Sequence, residues 1–176
     1  MENFVPLFEK FIDDQNAKTI RDFPYVMDFF NSNYPGKGID DIPVYIISHE
    51  EWPDGKGMQT ENDLHGGIRM HEDLFERGDN DIGWLIHEVG HVLDLNGERK
   101  PVLVSKNEFE GYPNEDNEQT PMWYQFHYLI NKGLSEDDVI SLEKRDYSDV
   151  KGGGCLWSQY KDDFFRAYYK AIKDKL

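Results

Sequence analysis

The sequence predicts an α+β fold in one domain. Three features carry that expectation: apolar stripes at helical spacing near both ends, two short strand-like segments in the first half, and a strongly apolar helical run over residues 82 to 95. The 176 residues, 38% of them hydrophobic and 14% aromatic, suffice for one sizeable core. No low-complexity linker or internal repeat divides them.

Residues 3 to 14 and 18 to 32 are predicted helices, the first with Phe4, Leu7, Phe8 and Phe11 on its buried stripe, the second with Phe23, Val26, Met27 and Phe30. Ile42 to Ser48 is the clearest strand, being β-branched and aromatic. Residues 51 to 63 read as loop from their Pro, Gly and charge content. Gly66 to Met70 reads as a second strand, whose glycines suit a bulge or a close backbone approach.

The central helix follows. Ile82, Leu85, Ile86, Val89 and Leu93 recur at i, i+3, i+4, i+7 and i+11, with Asp81 as its N-cap and Asn96-Gly97 as its stop. Gly90 inside it costs about 1 kcal/mol relative to alanine, a loss that makes sense if another element must come close there. Met122, Trp123, Phe126, Leu129 and Ile130 mark another helix, with Pro121 in its first turn and Gly133 beyond its end. Ser135 caps a helix through about Arg145, with Glu136, Asp137 and Asp138 in its first turn and Lys144 and Arg145 in its last. Residues 157 to 175 form a closing amphipathic helix with Trp157, Tyr160, Phe164, Tyr168 and Ile172 on one side.

Chemistry concentrates in residues 87 to 91, HEVGH. An α-helix turns about 100° per residue, so positions four apart lie one turn above each other, about 40° apart. His87 and His91 can therefore both present an imidazole nitrogen to one Zn²⁺. Glu88 is turned about 100° from His87, poorly placed as a ligand but well placed as a general base for a water on the metal's open side. The pattern encodes metal-assisted hydrolysis. Asp94 lies on the same side a turn further on, placed either to orient a ligand or a basic neighbour or to form a plain surface ion pair.

Through WLIHEVGHVLDL, residues 84 to 95, the chain resembles the zincin-like metallopeptidases. A metzincin-like pattern would continue with Gly at 94 and His at 97, where this chain has Asp94 and Gly97, so it looks more like the gluzincin branch, in which a downstream glutamate completes the site. The resemblance implies a small twisted sheet packed on the active-site helix, with the additional helices at both ends. It also makes the second strand the edge that lines the cleft, where a peptide could add by β-augmentation. The implied activity is zinc-dependent hydrolysis of peptide bonds, with Glu88 activating water. The alternative is a catalytically inactive, metal-stabilised protein-binding module; a binder has no need of Glu88, whose presence favours the enzyme.

The third ligand implied by the resemblance falls in the acidic stretch from 106 to 129, with Glu108, Glu110, Glu115, Asp116 and Glu118 as candidates. Glu118 is favoured because it stands at the entrance of a rigid helix; Glu115 comes second and Glu110 third. Tyr112 and Tyr147 are candidate oxyanion donors. His49, His65, His71 and His127 have no ligand partner at suitable spacing and read as structural or surface imidazoles.

A net charge of −16 argues against nucleic acid and anionic membranes as partners and leaves a peptide or protein substrate, with cationic segments attracted. Solubility accounts for the acidic balance more readily than substrate steering does. MENFVPLFEKF has neither a basic n-region nor a long apolar stretch, so neither a signal peptide nor a membrane span is expected. Cys155, the only cysteine, excludes an intramolecular disulfide and a cysteine-based zinc cluster and reads as a packing residue. A reducing, cytoplasmic setting is the expectation.

Overall fold

Pro24 decides where the first described helix begins. Its missing N–H and fixed φ suit a helical first turn, and it biases the residue before it away from helix. In the computed structural model, which describes residues 18–48, 50, 58–60, 67–72, 83–105, 118–149 and 162–176, and side chains for all of these but 58–60 and 144–149, α1 spans Pro24–Asn33. The expected start at residue 18 is thereby corrected: Lys18–Thr19 form a short strand, β1, and Ile20–Asp22 a single 3-10 turn. The apolar stripe holds, since Phe23, Val26 and Phe30 are buried and Met27 packs against the core. The predicted helix at 3 to 14 lies outside the described residues, as do His49, His65 and Cys155.

Among the described residues the sheet has four strands, β1, β2 (Pro43–Ile47), β3 (Met58–Thr60) and β4 (Ile68–His71), in the order β1-β2-β4-β3. β2 and β4 run parallel; β1 on β2 and β3 on β4 are antiparallel. Two expectations change here. β3 falls inside the stretch read as loop, because three residues among glycines and charges have no strand signal of their own and owe their conformation to pairing with β4. β4, expected at the edge, is interior, and β3 takes the outer position. Gly67 serves close approach: a Cβ there would lie 2.7 Å from the Tyr45 ring.

α2 (Trp84–Leu95) starts from Gly83, with Asp81 and Ile82 outside the described residues, and stops at Asn96-Gly97, where Gly97 takes φ +88°. It buries Leu85, Ile86, Val89 and Leu93 as the periodicity requires, lies alongside β3, and packs most extensively on α3 (Gln119–Asn131). That contact explains Gly90. A Cβ there would stand 2.5 Å from Pro121 Cα, so any larger residue would drive the helices apart.

α4 (Glu136–Asp149) is capped by Ser135, whose Oγ accepts from the Asp138 N–H at 3.2 Å while Asp138 Oδ2 accepts from the Ser135 N–H at 2.9 Å. It runs four residues past the expected end, so Lys144 and Arg145 are not in its last turn. α5 (Asp162–Lys173) buries Phe164, Tyr168 and Ile172 against α3 and α4; Trp157 and Tyr160 lie outside the described residues. Tyr168 Oη donates to the Gln119 carbonyl at 2.8 Å, pinning the start of α3. The fold is thus α+β with a small mixed sheet, its core continuous from Ile20 to Ile172. Among the described residues no helix is long and apolar enough to cross a membrane.

Candidate metal centre

Helical spacing stacks the two imidazoles of α2, and their ring centroids are 4.9 Å apart. Glu118 stands at the N-cap of α3, three residues before the proline that rests on Gly90, so the close helix crossing brings its carboxylate over the histidines. Glu118 Oε2 lies 3.1 Å from His87 Nε2 and 3.6 Å from His91 Nε2. One ligand atom from each of the three residues falls within 4.8 Å of the others, close enough for all to bind one ion. Of the glutamates proposed for the third position, Glu118 is the one among the described residues; Glu108, Glu110, Glu115 and Asp116 lie outside them, as do Tyr112 and the Tyr147 side chain.

The three residues fit a metal ion on chemical grounds. Glu118 Oε2 is buried, and two imidazole nitrogens face it. His87 Nδ1 is 3.0 Å from Gln125 Oε1. An amide oxygen only accepts, so Nδ1 carries a hydrogen, and Nε2 is the ring nitrogen that faces Glu118. An anionic oxygen and two imidazole nitrogens that converge on one point are held together by a cation between them or by protons on the rings. Two imidazoles and a carboxylate are a donor set that suits a borderline divalent ion.

The charges around the site point the same way. Burial alone would lower the pKa of His91, but hydrogen bonding to Glu118 and the negative charges of Glu88, Glu118 and Asp94 outweigh it and raise the value. Burial opposes ionisation of Glu118, yet hydrogen bonds and charge from His87 and His91 hold its carboxyl well below the usual range. Glu88 is half-buried, next to the first histidine in the chain, and its negative charge contributes to raising the pKa of His91.

Asp94 acts on the neighbouring helix. Its Oδ1 accepts from Thr120 Oγ1 at 3.0 Å, and Thr120 Oγ1 in turn accepts from the Lys100 N–H at 3.0 Å. The end of α2 is thereby tied to the first turn of α3, two residues from Glu118. Asp94 also has the exposed Arg99 Nε at 3.4 Å, the ion pair that was one of the expectations for this residue.

Sequence reasoning missed Gln125, Glu143 and Thr120. Gln125 Nε2 donates to Glu143 Oε1 at 2.8 Å, and all three of His87, Gln125 and Glu143 are buried. A signal for Glu143 existed: it follows the buried Val139 by four and Ile140 by three, putting a carboxylate on the apolar face of α4. Nothing in the sequence pairs Gln125 with a histidine 38 residues earlier. His71 is buried within β4. His127, on α3, places Nδ1 2.5 Å from Tyr34 Oη among the Phe29 and Tyr34 rings, and it is not part of the metal-ligand group. No family model, curated protein or solved structure matches the chain.

Proposed function

We propose that this chain is a zinc-dependent metallopeptidase of the gluzincin-like, zincin type, with His87, His91 and Glu118 as the metal ligands and Glu88 as the general base. The observation that carries the reading is the convergence of two helical imidazoles and a carboxylate from the next helix, with Glu88 following the first histidine in the chain. Zinc bound by such a set would supply Lewis acidity, making a water more acidic and a substrate carbonyl more electrophilic.

The chain's own residues do the rest. Glu88 takes a proton from the attacking water and returns it to the departing amine as the C–N bond breaks. α2 gives Glu88 and both histidines one rigid frame, and Asp94 with Thr120 holds the start of α3 in register with it. β3, at the edge of the sheet and alongside α2, supports an extended peptide pairing next to the site.

The test is Glu88→Gln in the full chain, loaded with zinc and assayed on unstructured polypeptides beside the wild type. The variant should keep its metal and fold while hydrolysis falls at least about 10²-fold, the low end for a positioned general base. Equal cleavage by both proteins would remove Glu88 from the mechanism. Absence of cleavage by either across a broad substrate set would favour a metal-stabilised binding module.

A further inference from the structure

We infer that Glu143, acting through Gln125, fixes which nitrogen of His87 carries the hydrogen and so keeps Nε2 open for a metal ion. The metal part of this statement rests on the ligand assignment proposed above; the control of the imidazole does not.

The contacts form a directional chain. A carboxylate oxygen accepts hydrogen bonds and cannot donate them, so Glu143 Oε1, 2.8 Å from Gln125 Nε2, demands the NH₂ end of that amide. The amide oxygen is then left facing His87 Nδ1 at 3.0 Å. An amide oxygen also only accepts, so the imidazole must donate from Nδ1. The other tautomer would set two acceptors against each other at that distance.

Burial makes the choice strict. Gln125 and Glu143 are each 1% exposed and His87 is 7% exposed, so water has little access to repair a mismatched contact. The consequence appears at the far side of the ring, where Nε2, which bears the lone pair whenever the ring is neutral, faces the site shared with His91 and Glu118. Glu143 never touches the proposed metal position. It is a positioning residue that works through two hydrogen bonds across three helices, α4, α3 and α2.

The experiment exchanges the two groups. In Glu143→Gln the side chain at 143 can donate or accept, so the amide at 125 is free to turn round and the preference at His87 is lost. In the double variant Gln125→Glu/Glu143→Gln a carboxylate at 125 accepts from both neighbours, and the direction is restored. Nitrogen–proton correlation spectra of the full-length, metal-free proteins at about pH 9, where imidazoles are neutral, report the tautomer of His87 directly. Wild type and the double variant should show hydrogen on Nδ1, and Glu143→Gln a mixture or the reverse.

Zinc affinity by chelator competition should fall about 10- to 100-fold in Glu143→Gln, as for other partners that orient a ligand, and recover in the exchange variant. An unchanged His87 tautomer in Glu143→Gln overturns the inference whatever the affinity does. Should that single variant not fold, the exchange variant decides: hydrogen on Nδ1 supports the inference and hydrogen on Nε2 overturns it. A wild type with hydrogen on Nδ1 that binds no zinc would defeat the ligand assignment alone.

Discussion

Glu118 is an anion held in a buried position by two imidazoles, and its role is decided by what replaces its charge. Glu118→Gln keeps the shape but removes the negative oxygen, so zinc affinity should drop by more than the roughly 10- to 100-fold typical of residues that only orient ligands. Glu115→Gln should leave it unchanged. A chelator competition titration with the reverse ranking would move the third ligand to Glu115. His127 makes a different residue-scale prediction. Burial, reinforced by the positive charge of Lys100, pulls its pKa down to about 4, against about 6.5 for an exposed histidine. Above about pH 6.5 the ring is neutral in both folded and unfolded chains; as pH falls toward 4 the unfolded chain takes up a proton that the folded one refuses, and stability is lost across that window. His127→Gln keeps an acceptor for Tyr34 and removes the titration, so in chelator its melting temperature should fall less steeply from pH 6.5 to 4.5 than that of wild type. Parallel slopes would show that His127 takes no part in the acid response.

At the level of elements, the crossing of α2 and α3 controls the site. Alanine is the better helix former by about 1 kcal/mol, so Gly90→Ala would stabilise an isolated helix. Here its methyl group would meet the backbone of Pro121 at 2.5 Å, which cannot swing aside as a side-chain tip could. The variant should be destabilised by about 1–3 kcal/mol, as overpacked cores are, and should bind zinc more weakly because α3 carries Glu118 away from the histidines. Urea denaturation and chelator competition measure the two effects. A stabilised variant with unchanged affinity would mean that α3 can withdraw without moving its N-cap.

Across the whole molecule, a bound ion would add a joint between two helices already linked by apolar packing, the Asp94–Thr120 contact and the His87–Gln125 hydrogen bond. Ligand binding to the folded state alone adds RT ln(1 + [L]/Kd), about 4 kcal/mol at a thousand times Kd. Stripping zinc should therefore lower the melting temperature in calorimetry by several degrees, and the double variant His87→Ala/His91→Ala should melt at one temperature with or without chelator. Equal responses of wild type and double variant would place the stabilising ion elsewhere.

Periodicity and spacing settled α2, its buried stripe, its Gly97 stop and the placing of His87 and His91 on one face, because these follow from helix geometry within a dozen residues. The helix that Glu118 opens and the stop at Gly133 were legible for the same local reason. Gly90 announced that something came close, but only the folded chain shows Pro121 there. Strand order was beyond reach: β3 has no local signal, and β4 became interior through a pairing partner that no periodicity announces. The tertiary structure alone brought Glu118 to the two histidines and lined up Gln125 and Glu143 behind His87. Those contacts join positions 18 to 38 residues apart on separate helices, and their geometry is set by how closely the helix axes cross, a property of packed surfaces rather than of any one segment.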